Sequence, residues 1–252
     1  MTRTIDLNAD IGEHDGDRFA DDAAILDVVS SANIACGAHA GSTDVMRRTI
    51  RAAVDRGVSI GAHPGYPDRE GFGRHELNMT LRSILDSFEE QLVSINECCK
   101  VEGATLRYVK PHGALYNRAA REAELAAVLA DATARFDTNL FMLALSNSQM
   151  EKAARARGLH VAREAFIDRA YMSDGSLVPR KSFGAVIRNS AAAADRAVSI
   201  AVNQKIESVE GYIVEVVADS LCVHGDSANA LETVSLARSR LQEAGFEIKA
   251  FA

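Results

Sequence analysis

The sequence predicts an α/β chain in which seven strands alternate with helices. Short apolar runs of strand length recur along the whole chain, each followed by a longer segment with helical periodicity. Their interiors are apolar, as strands covered on both faces of a parallel sheet require. Nearly every run also ends in a polar, glycine-bearing loop. That last feature favours a closed barrel over an open doubly wound sheet, although the pattern alone admits both. In a barrel the site sits at the C-terminal strand ends.

The elements follow in order. Thr4 to Ala9 is a strand that delivers Asp10, and residues 21–30 form a short helix. Ala32 to Cys36 is the second strand. Ser42 or Thr43 caps a helix that runs to Arg56 and stops at Gly57. Val58 to Ile60 is the third strand, ending in Gly61-Ala62-His63-Pro64-Gly65-Tyr66-Pro67-Asp68. Thr80 opens a long amphipathic helix to about Glu102, with Ile84, Phe88, Leu92 and Ile95 on one face. Leu106 to Val109 leads into Lys110-Pro111-His112-Gly113. A helix over 122–136 precedes the apolar strand Leu140 to Leu145, and another helix spans 148–157. The sixth strand begins at His160 and ends in Glu164 to Arg169. After an irregular segment over 170–184 come a helix over 190–203, a hairpin over 206–217 turning near Gly211, the strand Leu221 to Val223 and a closing helix over 228–244.

Composition narrows the function classes. At 252 residues and 47% hydrophobic, the chain suits one barrel domain spanning 1–252. A net charge of −7 argues against nucleic acid or an anionic membrane as the main partner. Cys36, Cys98, Cys99 and Cys222 form no CxxC, so reduced thiols in a cytoplasmic protein are expected. The N-terminal stretch lacks a secretory h-region, and no apolar run reaches membrane-spanning length.

Collected by strand end, the polar residues are Asp6, Asn8, Asp10 and Glu13, then His39, then His63, Asp68 and Arg74. Lys110, His112 and Asn117 follow, then Glu164, Asp168 and Arg169, and finally His224 and Asp226. Four of the seven histidines, His39, His63, His112 and His224, fall just past a strand and near glycine. Imidazoles and carboxylates converging in one pocket serve as metal ligands or as general acid/base groups. Asp10, His39 and His63 are one candidate set for an open metal site, although no local ligand motif such as HExxH is present. Lys110, Arg74, Arg169 and Arg180 suit phosphate or carboxylate. There is no GxxxxGK[ST] loop, no GxGxxG after a strand and no GxSxG elbow. Cys36 and Cys222, at strand ends, are candidate nucleophiles.

Together these motifs resemble the LamB/YcsF family, understood as the A subunits of prokaryotic 5-oxoprolinases. The stretches that carry the resemblance are Asp6 to Asp10, Ser31 to Gly37 with His39-Ala40-Gly41, Gly61 to Asp68, Gly71 to Arg74 and Lys110 to Asn117. Glu164 to Phe166 with Asp168-Arg169, Leu177 to Arg180 and Cys222 to Asp226 complete it. The pattern departs at residues 13–17, at Ala38, at Ser42 and at His75. The resemblance implies a seven-stranded TIM-like (β/α) barrel similar to the glycoside hydrolase/deacetylase group. It further implies ATP-dependent opening of 5-oxo-L-proline to L-glutamate, with Mg²⁺-ATP as co-substrate and subunits B and C as partners. On that reading Asp10 or Glu164 acts as base and His63 or His112 as acid. Asn8, His39, Arg74, Lys110, Asp168, Arg169, His224 and Asp226 then bind substrate or phosphate. Two other readings stay open: a metal-dependent deacetylase or amide hydrolase, and a non-catalytic subunit that binds a small ligand.

Overall fold

The computed structural model describes residues 3–14, 19–225 and 229–252. Asp226, expected to bind substrate, lies outside them. Seven parallel strands close into a barrel in the order β1 (Arg3–Ile11), β2 (Ser31–Ala35), β3 (Ser59–His63), β4 (Leu106–Val109), β5 (Phe141–Leu145), β6 (His160–Phe166) and β9 (Ser220–Val223). β9 pairs with both β6 and β1, and that second pairing closes the ring. The expectation of a barrel is therefore met, and the open sheet is excluded.

The helices α1 (Phe19–Leu26), α2 (Thr43–Val54), α3 (Leu81–Val101), α4 (Gly113–Arg121), α5 (Ala123–Phe136), α6 (Gln149–Ala156), α7 (Ser190–Asn203) and α8 (Ala230–Glu243) alternate with the strands. β7 (Lys205–Glu207) and β8 (Ile213–Glu215) form the expected antiparallel hairpin. Local sequence explains most boundaries. Ser42 accepts the Val45 amide at the start of α2, and Thr80 accepts that of Ser83 at the start of α3. Ile84, Phe88, Leu92 and Ile95 of α3 are all buried, and each such side chain contributes roughly 1.5–3 kcal/mol.

Three elements differ from expectation. β1 continues to Ile11, so Asp10 lies within the strand rather than beyond it. α4 occupies residues expected to be loop. Its break from α5 is the extended backbone of Glu122, a helix former whose sequence gives no stop signal. A short strand, β10 (Phe246–Ile248), follows Gly245 and pairs beside β1 at its N-terminal end. No helix among the described residues is long and apolar enough to cross a membrane.

Candidate active site

Alternation along β1 sends Leu7, Ala9 and Ile11 into the apolar core and turns Asp6, Asn8 and Asp10 into the barrel. The barrel interior is thus a stack of polar layers. In the lowest, Asp6 Oδ1 accepts from Ser30 Oγ at 2.6 Å and Ser31 Oγ at 2.7 Å, and Oδ2 accepts from Ser220 Oγ. Burial nevertheless pushes the Asp6 carboxyl up to about 6. Above it, Asn8 donates to Ser220 Oγ at 2.7 Å and Asn33 donates to Asn8 Oδ1 at 2.7 Å. Tyr108 Oη in turn donates to Asn33 Oδ1 at 2.7 Å. The Tyr108 ring crosses against Gly61, where a Cβ would come within 2.1 Å of its Cε2.

Lys110 occupies the next layer. Its Nζ lies 2.9 Å from Asp10 Oδ1, 2.9 Å from Glu164 Oε1 and 3.1 Å from Cys222 Sγ. Burial opposes the ammonium, but Asp10, Cys222 and Glu164 hold its pKa well above the usual value. Burial likewise opposes the Asp10 carboxylate, yet Lys110 and His63 hold it well below the usual range. Glu164 is fully buried and takes a 2.7 Å bond from Tyr116 Oη on its other oxygen. The thiols do not suit nucleophilic roles. All four cysteines are free and buried, and burial pushes those of Cys36 and Cys222 well up.

At the mouth, His63, His112, His39 and Glu13 pack together. His63 Nδ1 meets the Lys110 carbonyl at 2.8 Å, and His112 Nε2 meets the Phe72 carbonyl at 2.9 Å. Their remaining nitrogens face each other at 2.9 Å. His39 stacks flat on His112, with centroids 3.8 Å apart, and its Nε2 is 3.3 Å from Glu13 Oε1. Burial, reinforced by His63, pushes the His39 imidazole down to about 3. Burial, with His39 and His63, also holds His112 well below its ordinary value. Gln91 grips both polar groups of the Gly65 backbone at 2.9 Å, fixing the loop after His63. Gly73 and Gly113, both at positive φ, let the loop over 71–74 lie against the start of α4.

A second group stands beyond the Phe166 ring. His224 Nδ1 is 2.9 Å from Asp168 Oδ2, and its ring stacks on Phe166. Burial opposes the Asp168 carboxylate, but His224 outweighs it and holds the pKa down. Arg169 is buried and donates to the carbonyls of Val178 and Ala185, so it also braces the loop over 170–185. A cleft of about 1530 Å³ opens over these groups, with Asp10, His63, Lys110, His112, Arg169 and His224 among its lining residues. Arg74, Asn117 and Arg180 lie on its walls.

The strand-end residues named from sequence therefore converge, with Asn8, His39, Asp168 and Glu164 in supporting positions behind the lining. Sequence reasoning missed Asn33, Gln91, Tyr108 and Tyr116. For Asn33 a signal existed, since one amide interrupts an otherwise apolar strand. Glu13 carried no assigned role in the sequence, yet it joins Asp10, His63 and His112 in a set whose potential ligand atoms all lie within 4.8 Å of one another. That set shares Asp10 and His63 with the candidate trio read from the sequence and has Glu13 and His112 where the trio had His39.

Comparison with known proteins fits this arrangement. The profile of the LamB/YcsF family matches residues 5–252. The chain is 43% identical over 249 residues to a 5-oxoprolinase A subunit from Agrobacterium fabrum, covering 98% of each chain. A solved structure of a lactam utilization protein from Thermus thermophilus superposes with a TM-score of 0.90 at 40% identity, over 98% of this chain and 100% of that one. The catalytic domain of a peptidoglycan N-acetylglucosamine deacetylase from Eubacterium rectale shares the fold alone. Its TM-score is 0.54 at 12% identity, over 100% of this chain and 90% of that one.

Proposed function

The chain belongs to the LamB/YcsF family, and from that premise we propose that it is the A subunit of a 5-oxoprolinase. It opens the lactam of 5-oxo-L-proline to L-glutamate in the cytoplasm, using ATP and working with subunits B and C. The observation that carries the reading is the Lys110 ammonium, fixed between Asp10 and Glu164 in a cleft that is also lined by His224, the partner of Asp168.

A lactam is a poor electrophile, and phosphorylating its oxygen makes the carbon attackable. The permanently charged Lys110, with Arg74 and Arg180 on the walls, receives the anionic oxygens that this creates. Water adds to the carbon, the C–N bond breaks with a proton passing to the ring nitrogen, and hydrolysis of the acyl phosphate left behind releases inorganic phosphate and L-glutamate. The geometry favours His224 as the group that takes the proton from water and returns it to nitrogen. Asp168 holds its Nδ1, leaving Nε2 as the nitrogen that meets substrate. The other histidines are less free. His63 and His112 each spend one nitrogen on a backbone carbonyl and turn the other toward the partner ring. Asp10 and Glu164 are engaged with Lys110, and Glu164 stands behind the cleft wall.

The test is glutamate release from 5-oxoproline by the chain together with subunits B and C. ATP-dependent release by the mixture, lost on Lys110→Ala, is expected. A folded, complete mixture that released no glutamate would overturn the reading.

A further inference from the structure

The two inner histidines pose a proton-accounting problem. His63 Nδ1 must carry a hydrogen to donate to the Lys110 carbonyl, so in the neutral ring its Nε2 is a lone pair. His112 Nε2 must carry one for the Phe72 carbonyl, so its Nδ1 is a lone pair too. Those two lone pairs point at each other across 2.9 Å. Two carboxylates close on the same spot: Asp10 Oδ1 is 3.4 Å from His63 Nε2, and Glu13 Oε1 is 3.2 Å from His112 Nδ1.

We propose that Asp10, Glu13, His63 and His112 together hold a divalent cation of the zinc type at the barrel mouth. Ligands about 2.0–2.1 Å from a tetrahedral ion stand roughly 3.3 Å from one another. The three separations above, 2.9, 3.2 and 3.4 Å, already bracket that edge. Lys110 and Asn33 both donate to Asp10 Oδ1, which holds the carboxylate in place beside His63. Two neutral imidazoles and two carboxylates offer two nitrogens and two oxygens with a formal charge that a divalent ion balances.

The surroundings are those of ligating histidines, whose second nitrogen is fixed by a carbonyl or carboxylate. Phe72 sits at φ +56, a costly conformation for a residue with a β-carbon, and its carbonyl is the one that fixes His112. His39 contributes from outside, as a positioning residue stacked on His112 and reaching Glu13. Asp10, His63 and His112 line the cleft, so an ion there faces the reacting space.

This inference goes beyond the lactam-opening reading and is tested apart from it. The isolated full-length chain, stripped with chelator and shown folded by circular dichroism, is titrated with Co²⁺. Uptake is followed by visible absorption and by competition with Zn²⁺. One equivalent per chain with the intense spectrum of a four-coordinate site is expected. Glu13→Gln, nearly isosteric, and His112→Asn should each weaken binding at least 10-fold, and His39→Asn roughly 10- to 100-fold. Two outcomes overturn the proposal: folded wild-type chain that takes up neither ion, as an extra bridging proton on His112 would give, or undiminished uptake by a folded His63→Asn/His112→Asn double variant. No lactam or ATP enters the assay, so its failure leaves the lactam-opening reading standing, and the reverse also holds.

Discussion

Replacing Lys110 by methionine removes one ammonium from a site that is 2% exposed and strands two carboxylates, Asp10 and Glu164, each 2.9 Å from its nitrogen. Breaking a buried ion pair by deleting one partner costs roughly 3–5 kcal/mol, because the other charge keeps its desolvation penalty. Unfolding entropy near 2.1 cal/mol/K per residue gives roughly 0.5 kcal/mol/K for a chain of 252 residues. The loss therefore converts to a melting temperature lower by roughly 6–10 °C. Calorimetry and urea unfolding in metal-free buffer at neutral pH read both quantities. The Lys110→Met/Glu164→Gln double variant should lose less than the sum of the singles by about 1 kcal/mol or more, since glutamine removes a stranded charge. A Lys110→Met protein melting within about 2 °C of wild type, or strictly additive singles, would refute the picture of one ammonium neutralising two buried carboxylates.

Other perturbations probe other layers. Asp6 has a folded pKa of about 6, raised from 3.8, so its stabilising contribution is complete below 3.8 and lost as the pH climbs through 6. The stability difference between Asp6→Asn and wild type should accordingly shift in the variant's favour by up to about 3 kcal/mol between pH 4 and 7, measured by urea midpoints; a flat difference would contradict the raised carboxyl. Gly61→Ala drives a methyl into the Tyr108 ring and should cost roughly 1–3 kcal/mol in chemical denaturation; a neutral outcome would mean the ring moves freely. His224→Gln should lower glutamate formation by the assembled complex about 10²- to 10⁴-fold, with the far-ultraviolet dichroism of the chain unchanged, and full turnover would remove His224 from the mechanism.

The fold was legible because its signals are local. Apolar runs such as Met142-Leu143-Ala144 and cap residues such as Ser42 and Thr80 mark elements within a few positions. The broad site was legible for a topological reason, since in a parallel barrel the residues after successive strands share one end. What escaped depends on distance between strands. Nothing near Glu13 says that it faces His112, far along the chain, and Tyr116 of α4 meets Glu164 of β6 only once the barrel has brought the two together. The division of labour among histidines was equally hidden. It rests on which ring nitrogen meets which carbonyl, and the Phe72 carbonyl is aimed by a backbone conformation that no residue preference announces.

The polar layers inside the barrel also bear on how the ring finds its alignment. β1 and β9 are more than two hundred residues apart in sequence, and aliphatic side chains alone discriminate poorly between neighbouring registers. Across that seam Asp6 and Asn8 both bond Ser220. A slip of one residue would turn Asp6, Asn8 and Asp10 out among the helices and leave each without its partner. Mispaired closures are therefore penalised by several unsatisfied polar groups at once, so the buried column acts as a key that only one register of the closing pairing fits. Until that pairing forms, β1 and β9 each present an open edge, and the polar side chains beside it discourage joining to another molecule.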